Sequence, residues 1–200
     1  MFDIHELMKH LSQERPIFHS EADFQHAFAW QFHTLFPDAT VRLEYPIDLT
    51  KRIHLDLLLT FSNHQRLAVE LKYRTCYFNS THRGEVFALK DHSARDLGRY
   101  GVWKDVSRIE QLVMANQPNM RGYTVFLTNT DLYWKPGTRV TNDKDFHLHD
   151  GRTVQGDLSW QPIAPEYTLS LSHTYTVTWH PYSVLSPEWG GEFRYLVFEV

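Results

Sequence analysis

Residues 67–75 read LAVELKYRT, a strand-like run in which Glu70 and Lys72 stand two apart at positions where β-propensity favours Val, Ile or Thr. Side chains on a strand alternate between faces, so Leu67, Val69 and Leu71 share one face while Ala68, Glu70 and Lys72 share the other. The apolar face suits burial. The charged face is either a solvated ion pair, which is worth little, or half of a site that handles metal and water.

Working outward, the segments 40–49 (TVRLEYPIDL), 53–61 (IHLDLLLTF) and 66–74 (RLAVELKYR) are extended runs joined by short polar links, and they predict an antiparallel meander. Residues 3–13 predict a short helix with Ile4, Leu7, Met8 and Leu11 at helical spacing before Pro16. A second helix begins after Ser20, an N-cap with Asp23 at the third helical position, and carries Phe24, Ala27, Phe28, Phe32, Leu35 and Phe36 as an apolar stripe until Pro37. Downstream, residues 93–115 predict a helix through Val102, Val106, Ile109 and Val113, and YTVFLTN at 123–129 predicts a buried strand. This order describes an α/β fold in which helices cover both faces of a mixed sheet. Beyond residue 130 the pattern becomes β-rich, with alternation in YTLSLSHTYTVTW (167–179) and a terminal strand FRYLVFEV (193–200). The chain is therefore read as one domain, a core of 1–130 with an extension of 131–200 that continues the sheet or forms a flap on it.

The composition is that of a folded chain: 200 residues, 42% hydrophobic and 14% aromatic, without a low-complexity tract. The single cysteine, Cys76, excludes an intramolecular disulfide and a cysteine-based zinc cluster and fits a reducing compartment. The opening MFDIHELMKHLSQERP lacks the apolar core of a signal peptide, and no later run has the length of a membrane span, so a cytoplasmic location is expected. A net charge of −4 argues against a protein that coats nucleic acid nonspecifically, while leaving room for a local basic face.

Asp56 lies in the middle of IHLDLLLTF, where an ionised carboxylate among leucines is costly without a partner. In a tight hairpin it neighbours the Glu70/Lys72 face. Two carboxylates so close repel each other unless a divalent cation lies between them, and hard oxygen ligands, few in number, suit Mg²⁺. Asp56, thirteen residues, then Glu70-Leu71-Lys72, preceded by a helix opening with Glu21, resembles the PD-(D/E)xK phosphodiesterase superfamily over about residues 20–130. That resemblance implies a restriction-endonuclease-like α-β-β-β-α-β core. It implies that Asp56 and Glu70 bind Mg²⁺ or Mn²⁺, with the Leu71 carbonyl as a further ligand, that Lys72 orients or activates the attacking water, and that Glu21 reaches the metal through water. Leu55 stands where the family's name has proline, and Glu44 competes with Glu21 for the helix-carboxylate role. The implied activity is endonucleolytic hydrolysis of nucleic-acid phosphodiesters, DNA being the expected substrate, with a homodimer as one means of cutting both strands.

Two rival readings accompany it. A nucleic-acid-binding or protein-interaction module on the same fold would keep the acidic cluster as a structural feature, and a histidine-metal hydrolase or sensor would use His147 and His149 with Asp150, although a surface hairpin is the simpler account of that segment. On the second long helix Arg95, Arg99 and Arg108, with Lys90 and Lys104 nearby, are candidates for phosphate contact, while the interleaved Asp96, Asp105 and Glu110 suggest an ordinary solvated face. Tyr100 and Trp103 are read as packing residues.

Overall fold

The computed structural model describes residues 2–160 and 164–200. Helix α1 (Ile4–Glu14) starts at Asp3, whose side chain accepts from the amides of His5 and Glu6, and buries Ile4, Leu7, Met8 and Leu11. Helix α2 (Glu21–Leu35) is capped by the Ser20 hydroxyl, which accepts from the Asp23 amide. The Asp23 carboxylate reaches back to the His19 amide and also pairs with Arg15, so the turn between the two helices is fixed by one side chain.

Strands β1 (Thr40–Asp48), β2 (Ile53–Thr60) and β3 (Arg66–Arg74) form the expected antiparallel meander. A hairpin of β4 (Phe78–His82) and β5 (Glu85–Leu89) follows, which the sequence pattern did not predict. Its turn uses positive φ at Arg83 and Gly84, and only Phe78, Phe87 and Leu89 bury their side chains, too few for a clear period. Helix α3 (Arg95–Asn116) leads to β6 (Met120–Thr128), parallel to β3. The last two strands, β9 (Trp179–Val184) and β10 (Glu192–Glu199), complete a six-stranded mixed sheet in the order β1-β2-β3-β6-β10-β9. Between them and β6, a 3₁₀ turn (Lys144–Phe146) precedes a separate antiparallel ribbon of β7 (Thr153–Trp160) and β8 (Ala164–Thr176).

The molecule is thus α/β. Helices α1 and α2 cover one face of the sheet, where Leu67, Val69, Leu71 and Tyr73 join Phe24, Phe28 and Phe32 in one core. Helix α3 covers the other face, packing Ile109 and Val113 on Leu55, Leu58 and Ala68. Gly122 permits this approach: a Cβ there would stand 2.1 Å from Ile109 Cγ2. The β7–β8 ribbon lies over α3, burying Leu171 and Tyr175 against Trp103 and Phe198. Among the described residues no helix is long and apolar enough to cross a membrane.

The interleaved acids of α3 do not form a solvated face. Asp105 and Glu110 are only 4% and 1% exposed. Glu110 accepts from the Ser172 and His173 amides at 2.9 and 3.0 Å and from the Tyr175 hydroxyl at 2.8 Å, so it pins β8 onto the helix. Burial pushes its carboxyl pKa up, and these hydrogen bonds outweigh it, leaving the net value lowered. A lowered folded pKa means that Glu110 stabilises the fold fully above the unfolded carboxylate range and loses that effect as pH falls through the folded value. Glu110→Ala is expected to cost about 3 kcal/mol in urea unfolding at neutral pH, because two amides lose a charged acceptor. The difference from wild type should shrink in acid.

Candidate functional site

Strands β2 and β3 pair from Leu57/Val69 to Thr60/Arg66, and the ladder ends there. At the next residue of β2 a side chain replaces the backbone: the Leu71 amide donates to Asp56 Oδ2 at 2.7 Å. Two residues further along β3, the Tyr73 amide donates to Glu21 Oε2 at 2.8 Å, so the helix carboxylate arrives on the same strand edge. A strand residue turns its N–H and C=O to the same edge, which puts the Leu71 carbonyl on the edge that Asp56 occupies. Glu44 lies across from Asp56, between the Leu43/Leu57 and Tyr45/Leu55 pairs, and is exposed at φ 49°. Of the two candidates for the helix-carboxylate role, Glu21 is the one with a bond to β3.

Period-two alternation turns Glu70 and Lys72 towards α3, away from the leucine face. Glu70 is 1% exposed, and its Oε1 lies 2.7 Å from Arg108 Nη2 without an N–H aimed at it, an ion pair rather than a directed hydrogen bond. Arg108 also donates to Asp105 Oδ1 at 2.7 Å, and Asp105 Oδ2 lies 2.9 Å from Lys72 Nζ. Arg108, a candidate for phosphate contact in the sequence, is instead taken by Glu70 and Asp105, and Asp105, read there as part of a solvated face, is a member of the site. The one sequence signal joining them is their i,i+3 spacing, which an exposed helix face shares.

Charge decides how these groups behave. Asp56, Glu70, Asp105 and Glu21 act electrostatically on one another and on two cations, Lys72 and Arg108. Burial, and then the charges of Asp105 and Asp56, push the Glu70 carboxyl up to about 9 against the pull of Arg108. Burial likewise raises Asp56, opposed by the Leu71 amide and Lys72. Burial pulls Lys72 down, yet Asp105, with Glu21 and Asp56 behind it, more than offsets this, and the ammonium is held above its ordinary range. With four carboxyls to two cations, the cluster lacks positive charge when fully ionised. Among the described residues no three His, Cys, Asp or Glu side chains stand together as a ready-made metal cage. Mg²⁺ uses only one or two carboxylates and otherwise keeps water or phosphate oxygens, so Asp56 and Glu70, as hard oxygen donors, fit such an ion in chemistry.

Lys72 and Glu21 reach solvent through a cleft of about 350 Å³ between the start of α2 and the β4–β5 hairpin, lined also by Arg74, Lys90 and His92. His19 stacks on Phe87 and bonds Glu85 at 2.8 Å, tying the hairpin to the residues before α2. Arg95 and Arg99 fall elsewhere. They line a neighbouring cleft of about 910 Å³, where Arg95 pairs with Asp91 at 2.8 Å and Arg99 with Asp143 at 2.6 Å. His147 and His149 line that same cleft in a loop after the 3₁₀ turn, so the surface-hairpin expectation is corrected: the segment is not a hairpin, and buried Phe146 and Leu148 hold the intervening His147 half-buried. His147 bonds the Thr141 hydroxyl at 2.9 Å. Trp103 is a packing residue, its ring N–H donating to the Phe146 carbonyl.

No protein-family model, curated protein or solved structure matches the chain.

The raised Glu70 carboxyl has a measurable consequence. A folded pKa above the unfolded one gives stability that is complete below the unfolded value, near 4.5, and is lost as pH rises towards about 9. Glu70→Gln is therefore expected to stabilise the metal-free protein increasingly with pH, by up to about 1.4 kcal/mol per unit. Urea unfolding in a chelator at several pH values checks this, and a pH-independent difference between the two proteins would refute the burial argument.

Proposed function

We propose that the protein is a metal-dependent nuclease of the PD-(D/E)xK type, on a restriction-endonuclease-like core, that hydrolyses nucleic-acid phosphodiester bonds, with DNA as the expected substrate. One observation carries this: Asp56, Glu70 and Lys72 belong to a single electrostatically coupled cluster where β2 parts from β3, and Glu21 joins it from the start of α2.

Asp56 and Glu70 would hold Mg²⁺ or Mn²⁺, with the Leu71 carbonyl and Glu21 on the same edge. When bound, such an ion supplies positive charge against the phosphate oxygens and makes a nearby water more acidic. The chain's own residues do the rest. Lys72 stays an ammonium because Asp105, Glu21 and Asp56 together offset the effect of burial, so its role is to orient the attacking water and to oppose negative charge in the transition state, not to remove a proton. Asp105 fixes the direction of that ammonium, and Arg108 spans Glu70 and Asp105, holding the acids together in place of solvent. Near-complete burial of Glu70 strengthens each of these interactions.

The same ion pairs favour a second reading. If Lys72 and Arg108 merely neutralise buried acids, the cluster is a structural feature of a non-catalytic nucleic-acid-binding or protein-interaction module.

A cleavage screen over single-stranded, double-stranded and branched DNA and RNA with Mg²⁺ or Mn²⁺ separates the two. Under the nuclease proposal, Lys72→Ala lowers turnover about 10²-fold or more while Mn²⁺ affinity stays close to wild type, as loss of a transition-state contact does. Asp56→Asn should instead weaken Mn²⁺ binding itself. A Lys72→Ala protein that cleaves at the wild-type rate yet melts early would leave only the structural role.

A further inference from the structure

The cleft beside the cluster contains groups that the proposed chemistry leaves idle. Its lining has three full cations, Lys72, Arg74 and Lys90, and one carboxylate, Glu21. Lys72 is committed to Asp105. Arg74 and Lys90 have no acidic partner among the described residues, whereas Arg95 and Arg99 in the next cleft are each neutralised by an aspartate. Asp91, the acid next to Lys90 in sequence, is taken by Arg95.

His92 adds a donor whose orientation is fixed. The Thr75 amide donates to His92 Nδ1 at 3.0 Å, and the His92 amide donates to the Thr75 carbonyl at 2.8 Å. An accepting Nδ1 places the ring proton on Nε2, the nitrogen left for a ligand. The Thr75 hydroxyl also donates to the Lys90 carbonyl at 2.7 Å, so one residue, itself 3% exposed, anchors the segment that carries both Lys90 and His92. Arg74 immediately precedes Thr75 at the end of β3. The three donors are thus set by the strand that carries Glu70 and Lys72, and phosphate oxygens are the ligands that arginine, lysine and N–H donors take together.

We propose that Arg74, Lys90 and His92 form a phosphate-binding subsite that holds the phosphate next to the scissile one in the substrate strand. The identity of that occupant, a nucleic-acid backbone, rests on the nuclease proposal. Catalysis itself is not needed to test it.

The experiment measures equilibrium binding of short fluorescent DNA and RNA strands in chelator, over a series of salt concentrations, for the wild type and a double variant carrying Arg74→Gln and Lys90→Gln. The double variant is expected to bind about tenfold or more weakly at low salt, with the slope of log affinity against log salt reduced by about 1.4 to 2. His92→Ala should weaken binding while leaving the slope unchanged, because a neutral donor releases no counterion. A strand with an uncharged methylphosphonate backbone should not distinguish wild type from the double variant. Thermal melting confirms that the variants fold, both substituted positions being at least partly exposed. The subsite is overturned if the wild type binds neither strand, if the double variant keeps the wild-type slope, or if Lys9→Gln with Lys51→Gln, exposed lysines outside the cleft, lowers it equally. A wild type that binds with the expected slopes but cuts nothing with Mg²⁺ or Mn²⁺ removes the nuclease proposal and leaves the subsite. One that cuts while the slopes coincide does the reverse.

Discussion

The hydrogen bond from the Leu71 amide to Asp56 is the contact on which the rest of the site depends. Where two strands part inside a protein, amides on the facing edges lose their partners, and each orphan costs about as much as a lost hydrogen bond. Asp56 and Glu21 meet that demand at Leu71 and Tyr73 with carboxylates. The solution has a consequence, because it brings negative charge to the edge of a sheet whose next inward-facing residue is Glu70. Helix α3 answers with Arg108 and, through Asp105, holds Lys72. Two residues beyond Arg108, Glu110 points from the opposite side of the helix and fastens the β7–β8 ribbon. The broken ladder thus explains why α3 turns Asp105 and Arg108 inward to the sheet, and the ribbon explains the burial of Glu110.

Much of this was legible in the chain and some was not, for definite reasons. The alternation in LAVELKYRT and the phenylalanine stripe of α2 each signal a face that must be buried, and both are buried against each other. Ser20 and Pro37 bracket α2 because caps and breakers act locally. The ribbon and the β4–β5 hairpin were missed or only half seen because their strands bury few side chains and pair only with each other. Asp105 and Glu110 read as solvated, and Arg108 as free for phosphate, because a charge on a helix looks the same whether water or another part of the chain faces it. Their partners Glu70, Lys72 and Ser172 lie 33 or more positions away in sequence, counting from Lys72 to Asp105, and only the fold brings them together.

The strand pairing also divides two kinds of basic residue that look alike in sequence. Arg95 and Arg99 sit one helical turn apart on α3 and seemed suited to phosphate, yet Asp91 pairs with the first and Asp143 with the second. Arg74 draws no notice in the sequence, and Lys90 draws it only as a neighbour of the α3 arginines. They are left without acids because β3 runs on past the cluster and the hairpin returns the chain beside it. Position relative to buried acids, more than the number of cations, sets where an anion can be held.

The cluster's stoichiometry bears on its purpose. A buried ion pair rarely improves stability over a hydrophobic pair of similar size, and removing one partner is costly. A network built only for stability would then be expected to balance its charges, as Asp143 balances Arg99 nearby. Here burial, and then the neighbouring acids, raise the Glu70 carboxyl to about 9 and raise Asp56 beside it. Burying these groups lowers the stability of the isolated chain when they are ionised, a cost relieved by anything that brings positive charge to Glu70 and Asp56. A divalent cation does this without displacing the Leu71 or Tyr73 amides, because each carboxylate bound to an amide keeps a second oxygen. The broken ladder, the buried acids and the ammonium fixed by Asp105 are therefore parts of one arrangement, in which the strand edge that lost its backbone partners is also where the cost of burying Glu70 and Asp56 is concentrated.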